Sequence, residues 1–187
     1  YEFVFGDWSS DGCSSDLLTY NANHGREESI PWFDAVDIIS LSAYFPVGTD
    51  DAGAALDAGL VNVPLSDTAL PTLLKRWKPI RDRLAKLSKQ FDRPILFVEL
   101  GVCNGKGCSA APWTHQDPNM VYDADEQARY YQAAIETFWN EPWFAGFAWW
   151  EWPARLYSPE KAQTDIGFCI YGKPAEAIVR KWYTSHR

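Results

Sequence analysis

The stretch RPILFVELG, residues 93–101, decides the fold. Its apolar run lacks the alternation of polar and apolar side chains, which is typical of a parallel strand covered on both faces. Glu99 follows residues 95–98, and Gly101 ends the stretch. Because the carboxyl ends of parallel strands form the active face of α/β proteins, Glu99 is predicted to be a functional carboxylate. The alternative is a Glu at the first solvent-exposed position after a buried strand.

An apolar run followed by an amphipathic stretch occurs four times along the chain, which is typical of parallel βα units. We predict strands at residues 17–23, 37–45, 94–100 and 144–152. We predict helices at residues 29–36, 71–91, 125–140 and 174–183. The pattern fits half of a (β/α)8 barrel, and by itself it fits a four-stranded doubly wound sheet equally well.

Four residues give more specific expectations about the helices. Pro79 lies inside the second helix and is expected to kink it or to split it in two. Asp123 or Asp125 is expected to cap the third helix. Pro174 suits the first position of the last helix.

Composition and charge limit the classes of partner that the chain is expected to bind. The chain has 187 residues, which falls short of the roughly 250 of a complete barrel. The formal charge is −8, and no Lys/Arg cluster is long enough to follow a phosphate backbone, so nucleic acid is not an expected partner. The sequence contains no run of 18 apolar residues, so no membrane-spanning helix is predicted. Ten Trp, nine Tyr and ten Phe suit either core packing or stacking on the apolar faces of sugars.

The leading segment differs from the rest of the chain. Residues 7–17 read DWSSDGCSSDL and show no apolar period of a helix or strand. This run resembles the translation of a sequencing-library adapter, apart from Gly12, where the adapter has Val. A Ser/Asp-rich surface loop is the alternative. We expect residues 1–17 to be a non-native segment and residues 18–187 to be the domain.

Polar or aromatic residues occur at the carboxyl end of every predicted strand. They are Asn21, Asn23, Tyr44, Glu99, Trp149, Trp150 and Glu151. In a parallel α/β fold these side chains are expected to meet at one edge of the sheet.

Several motifs then point to one family. The series comprises TYNANHG, DIISLSAYFP, RPILFVELG, APW, QARYYQAAIETFW, PWFAGFAWWEW, TD and GKPAEAIVRKWY. In order and spacing it resembles the later half of glycoside hydrolase family 113, retaining (β/α)8 endo-β-mannanases, over residues 18–183. The resemblance implies strands five to eight of a TIM barrel with their helices. It also implies a fragment of a glycoside hydrolase that cleaves β-1,4-mannan or a related β-glycan, with a polysaccharide or oligosaccharide substrate and no cofactor.

The resemblance assigns roles to five residues. Glu99, at the end of strand seven, would be the catalytic nucleophile, and Tyr44 would lie beside it. Asn23, Trp149 and Trp150 would bind substrate together with Tyr44. A hydrogen bond from Tyr44 to Glu99 would favour the charged, nucleophilic form of the carboxylate.

Retaining hydrolysis needs a second carboxylate, about 5 to 5.5 Å from the first. In the family that acid/base residue ends strand four, and here the only Glu that precedes TYNAN is Glu2. Its surroundings, YEFVFG, do not resemble the family motif. We therefore expect the acid/base residue to be absent and the chain to be inactive by itself. The open edges of a half barrel could lead to self-association.

Other readings of the sequence stay open. A non-catalytic carbohydrate-binding protein, or a pseudoenzyme, would also use exposed aromatic rings. The three histidines, His24, His115 and His186, have no metal-binding spacing, so no metal is expected. Cys103 and Cys108 could form a disulfide or remain free thiols. His24 and the insertion between Phe45 and Leu70 depart from the family pattern. The sequence gives no basis for a cellular location.

Overall fold

The computed structural model describes residues 16–50, 67–114 and 120–185. Residues 1–15, most of the segment predicted to be non-native, lie outside the described residues. Most of the insertion, residues 51–66, also lies outside them. Asp16 and Leu17 are exposed and have no regular structure.

Four parallel strands form one sheet. They are β1 (Thr19–Asn23), β2 (Ile38–Ser42), β3 (Ile95–Leu100) and β4 (Phe144–Trp149). The order in the sheet is β1-β2-β3-β4, so each strand lies beside the one that precedes it in the chain. A doubly wound sheet would reverse its strand order at a switch point. The order is that of consecutive barrel strands, so the prediction of a partial (β/α)8 barrel is confirmed.

The helices that follow the strands pack side by side. They are α1 (Leu70–Phe91), α2 (Ala124–Phe138), the short α3 (Pro159–Ala162) and α4 (Pro174–Ser185). α2 contacts both α1 and α4, so the three long helices form one continuous layer.

The helix boundaries correct one sequence prediction, confirm two and decide part of a fourth. Pro79 does not split α1, which runs continuously through this exposed residue, and a kink at Pro79 stays a prediction. The helix predicted at residues 29–36 is wrong: two short 3-10 turns, Glu27–Ser29 and Phe33–Ala35, flank Pro31, which cannot donate the hydrogen bond that would join them. Asp123 caps α2 by accepting from the backbone N–H of Glu126, and Pro174 begins α4.

The core lies between the sheet and the helix layer. Leu41, Ile95 and Phe97 are fully buried on the sheet side. The ring of Phe97 meets that of Phe138 edge to face at 4.9 Å between centroids, and Trp77 packs against Phe138 in the same way at 5.4 Å. Such pairs add to the stabilisation that burial alone provides.

The opposite face of the sheet is more polar and more open. Thr19 and Ser40 share a hydrogen bond between their hydroxyls, and Asn21 donates to the hydroxyl of Ser42 at 2.9 Å. Thr19 and Asn21 are exposed. In a closed barrel this face would be covered by the other strands.

Candidate active site

A β-bulge turns Glu99 out of the core. In the register of β2 and β3, Leu41 pairs with Phe97 but the next residue, Ser42, pairs with Glu99, so Val98 is an extra residue. Phe97, which precedes the bulge, is buried, whereas Val98 and Glu99 are both partly exposed. Strict alternation would have put Glu99 on the same side as Phe97. The bulge instead directs the carboxylate to the open face.

Tyr44 holds the Glu99 carboxylate. Its hydroxyl donates to Oε2 of Glu99 at 2.8 Å, which is the hydrogen bond that the sequence predicted. The backbone is fixed as well, because the N–H of Ala43 donates to the Glu99 carbonyl at 2.7 Å. Burial and, next, the hydrogen bond to Glu99 raise the pKa of Tyr44 well above its ordinary value. The phenol therefore stays protonated and keeps its proton available for the hydrogen bond to Glu99.

Asn23 and His24 lie at the end of β1, on the same edge of the sheet. Asn23 is exposed and pairs in register with Ser42. The backbone N–H of His24 donates to the Ser42 carbonyl at 3.1 Å, and the His24 ring stacks on Trp113 at 5.1 Å between centroids. Burial lowers the pKa of His24 below 6.5, so the imidazole is neutral at neutral pH.

The two adjacent tryptophans at the end of β4 lie in different environments. Trp149 is half-buried and stacks on Tyr131 of α2 at 4.8 Å and on Phe147 at 4.6 Å. Trp150 is 42% exposed. The structure thus places Trp149 towards the helix layer. Trp150 is exposed at the carboxyl ends of the strands, here called the mouth.

The backbone of Trp150 is fixed against β3. Its N–H donates to the Leu100 carbonyl at 2.8 Å, and its carbonyl accepts from the Tyr131 hydroxyl at 3.2 Å. A Cβ atom at Gly101 would lie 1.7 Å from the Trp150 oxygen. Only glycine permits this approach, which explains the glycine two residues after Glu99.

Buried polar side chains connect the loops that follow β3 and β4. Gln127 donates to the carbonyls of Val102 at 2.8 Å and of Phe168 at 3.1 Å, so one amide of α2 holds both loops. Asn104 also joins them by donating to the Gly167 carbonyl.

Glu126 holds the loop after β3 and was missed by the sequence analysis. It is 2% exposed, and its carboxylate accepts from the N–H groups of Gly107 at 2.8 Å and Ser109 at 2.9 Å. The spacing of Asp123 and Glu126, typical of a helix N-terminus, and the Gly-rich loop before it were the available signals.

Two cysteines, Cys103 and Cys108, and Lys173 are buried near the mouth-forming loops. Cys103 and Cys108 are buried free thiols, so the disulfide is not formed. Burial raises the pKa of Cys103 to about 12, which makes its thiolate scarce near neutral pH. The buried Lys173 ammonium donates to Asp165 and to the Cys169 carbonyl, each at 2.7 Å.

Neither a metal-ligand cluster nor a membrane-spanning helix is present in the part of the chain that the structure describes. No three His, Cys, Asp or Glu side chains in residues 16–50, 67–114 and 120–185 lie together as metal ligands would. No helix in those ranges is long and apolar enough to cross a membrane. His115 and His186 lie outside them.

Comparison with known proteins identifies relatives of this arrangement. The model of Glycoside Hydrolase Family 113 matches residues 13–173. The GH113 β-mannanase of Alicyclobacillus acidocaldarius, solved in complex with ManMIm, is 37% identical with a TM-score of 0.71, over 90% of this chain and 45% of that one. A GH113 β-1,4-mannanase is 29% identical with a TM-score of 0.71, over 91% and 46%.

More distant structures share the fold alone. A β-glucuronidase of Bifidobacterium dentium is 12% identical with a TM-score of 0.55, over 90% of this chain and 24% of that one. A search of curated proteins found no significant match. The chain spans about half the length of the mannanases that it matches.

Proposed function

The chain belongs to glycoside hydrolase family 113, and from that premise we propose that it is the nucleophile-bearing half of a retaining hydrolase of β-1,4-mannan. The observation that supports this most is the hydrogen bond from Tyr44 to Glu99 at the carboxyl ends of neighbouring strands. The similarity to two mannanases of the same family supports mannan as the substrate.

In the proposed reaction an oxygen of Glu99 attacks the anomeric carbon of a mannosyl unit. The bond to the leaving oxygen breaks, that oxygen takes a proton from the acid residue, and a covalent glycosyl-enzyme forms. Water activated by the same residue then hydrolyses the intermediate with overall retention of configuration. Tyr44 holds the Glu99 carboxylate in position for the first step by donating a hydrogen bond to it.

Substrate binding is proposed for the side chains around Glu99. The exposed ring of Trp150 would stack on the apolar face of the sugar, and Asn23 would hydrogen-bond its hydroxyls from the end of β1. Trp149 would support the sugar-binding surface from the helix side. Its ring packs against Tyr131, whose hydroxyl donates to the Trp150 carbonyl.

We propose that the acid/base residue is supplied by a segment other than residues 18–187. Retaining hydrolysis needs a carboxylate on the far side of the scissile bond from Glu99. Glu151 does not suit that role, because it follows β4, the strand beside β3, and lines a cavity with Val179 and Arg180 of α4. The chain alone is therefore expected to be inactive.

The unpaired edges of the sheet give a second expectation. β1 and β4 each present a free row of backbone donors and acceptors at the two sides of the described sheet. Such edges pair with other chains unless they are covered. We expect residues 18–187 to self-associate, either as two halves that close one barrel or as open aggregates.

The test compares residues 18–187 alone with the same residues co-expressed with the upstream half of the parent protein. Light scattering gives the oligomeric state, and release of reducing ends from β-mannan gives the activity. The proposal expects self-association without turnover for the chain alone, and turnover for the completed barrel. A soluble monomer with mannanase activity would contradict the missing acid/base, and a completed barrel that binds mannan without turnover would favour a binding protein or pseudoenzyme.

A further inference from the structure

An ion pair between Arg83 and Glu27 joins α1 to the 3-10 turn that follows β1, and the proposed reaction makes no use of it. Nη2 of Arg83 lies 2.7 Å from Oε1 of Glu27. The Glu27 side chain is fully buried, whereas that of Arg83 is 32% exposed. Burial raises the pKa of Glu27, and the charge of Arg83 opposes that rise. Because a buried carboxylate is costly without a cation beside it, the Arg83 guanidinium is held where Glu27 lies.

The same guanidinium packs on Phe45, the residue after Tyr44. Its central carbon lies 5.6 Å from the centroid of the Phe45 ring. Phe45 is buried, and Trp77 of α1 meets its ring edge to face at 5.7 Å between centroids. A cation is attracted to the face of an aromatic ring, and the attraction is strongest where water is excluded. Arg83 and Trp77 together therefore hold Phe45 in one position.

The position of Phe45 decides where the Tyr44 side chain points. Tyr44 is the middle residue of a γ-turn, because the backbone N–H of Phe45 donates to the Ala43 carbonyl at 2.9 Å. Ala43 is fixed in turn, since its N–H donates to the Glu99 carbonyl at 2.7 Å. With Ala43 held on one side of the turn and Phe45 on the other, the Tyr44 hydroxyl reaches the Glu99 carboxylate at 2.8 Å.

We propose that Arg83 is a positioning residue that keeps the Tyr44 hydroxyl on the Glu99 carboxylate. It acts through Phe45, and Glu27 holds it in place. A helix on the outer side of the sheet thereby sets the geometry of the mouth. Only the kinetic part of the test below rests on the proposed function, because the contacts themselves are present in this chain.

The experiment measures the hydrogen bond of Tyr44 by its NMR signature. Tyrosine in the complete 187-residue chain is labelled with 13C at Cζ, the carbon that carries the hydroxyl. Magic-angle-spinning NMR records these carbons whether or not the chain self-associates. Tyr44→Phe assigns the Tyr44 resonance by its disappearance. Glu99→Gln gives the position of that resonance when the acceptor carboxylate is gone.

Arg83→Ala should move the Tyr44 resonance at least about halfway to its position in Glu99→Gln, because the lost contact is comparable in strength to one hydrogen bond. Arg81→Ala is the matched control and should leave the resonance unchanged. Arg81 lies on the same helix, is 30% exposed and also forms an ion pair at 2.7 Å. The double variant Glu27→Gln/Arg83→Ala leaves no unpaired buried charge, so it should fold as readily as the control and show the same shift as Arg83→Ala.

Added guanidinium ion provides a rescue that a general loss of folding would not show. Arg83 and Phe45 line a cavity of about 410 Å³, through which the ion can reach the space that Arg83→Ala leaves. At a concentration too low to unfold the protein, guanidinium should return the Tyr44 resonance of Arg83→Ala at least about halfway to its original position. Sodium chloride at the same ionic strength should not move it.

In the completed barrel, Arg83→Ala should lower kcat for β-mannan about fivefold and leave KM within about twofold, since it disturbs the geometry at Glu99 and not the sugar-binding side chains. The inference is overturned if both Arg83 variants leave the Tyr44 resonance in place, if Arg81→Ala moves it as far, or if guanidinium restores nothing. If the resonance shifts and recovers as expected but the unsubstituted barrel hydrolyses no mannan, the proposed function fails and the inference stands.

Discussion

The two faces of the sheet are built from the same strands but differ in how complete they are. On the face towards the helices, Leu41, Ile95 and Phe97 are fully buried. On the opposite face, Asn21 of β1 and Ala148 of β4 are exposed. The helices of the same chain cover the helix-facing side of the sheet. The barrel-facing side has no such cover among the described residues. Stability should therefore depend on the first face, and substrate chemistry on the second.

The largest expected effect comes from removing one aromatic ring on the helix-facing side. Phe97→Ala should lower the free energy of unfolding by about 3–5 kcal/mol, because it leaves a cavity against Phe138. Urea denaturation at one fixed protein concentration measures this. The matched change on the open side, Trp150→Ala, should cost less than Phe97→Ala because Trp150 is 42% exposed, whereas Phe97 is fully buried. Equal losses would show that the two faces do not differ.

A second substitution tests the layer that links the helices to the mouth. Glu126→Gln should cost about 1.5–3 kcal/mol, since a buried charged acceptor for Gly107 and Ser109 is lost. Glu136→Gln removes an exposed carboxylate from the same helix and should stay within about 0.5 kcal/mol. Thermal or urea unfolding of both variants gives the comparison. A Glu126→Gln protein as stable as its control would refute the structural role.

Two neighbouring tyrosines allow stability and binding to be separated. Tyr130→Phe removes a hydroxyl that donates to the Phe45 carbonyl at 3.3 Å, and Tyr131→Phe removes the one that donates to Trp150. Each should cost about 1 kcal/mol in unfolding. Only Tyr131→Phe should weaken binding of mannohexaose, because only that hydroxyl holds the backbone of Trp150. If both variants bind as tightly as the unsubstituted chain, the link from helix layer to mouth is wrong.

The smallest effect concerns pH at the mouth. Because burial lowers the pKa of His24 below 6.5, the unfolded chain takes up a proton first as the pH falls. The stability contributed by neutral His24 is complete above pH 6.5 and is lost as the pH falls towards the lower, folded pKa. Between pH 7.5 and 5.5, His24→Gln should therefore lose less stability than the unsubstituted chain in urea titrations. An identical pH dependence would contradict a desolvated His24.

Some features of the fold and the site could be predicted from the sequence, and others could not. The four strands, their order along the chain and the hydrogen bond from Tyr44 to Glu99 followed from the motifs. The bulge at Val98 did not, because an apolar run covered on both faces carries no alternation that an extra residue could disturb. Likewise, the burial of Glu126 depends on loop N–H groups that only the fold brings to it.

The tryptophan pair illustrates the same limit. Trp149 and Trp150 were expected to bind substrate together, and that role remains a prediction. Adjacent residues of a strand point to opposite faces, which accounts for one ring lying towards the helices. The stacking of Trp149 on Tyr131 and the exposure of Trp150 agree with that rule.

The central claim is that Glu99 is the nucleophile of the completed barrel. The most direct test is Glu99→Ala in that barrel, assayed on an aryl β-mannoside with and without azide. No hydrolysis is expected without azide, because the covalent route is lost. With azide, whose nitrogen attacks the anomeric carbon as the aryloxide leaves, an α-mannosyl azide of inverted configuration is expected. Ordinary hydrolysis with retention in Glu99→Ala would show that Glu99 is not the nucleophile.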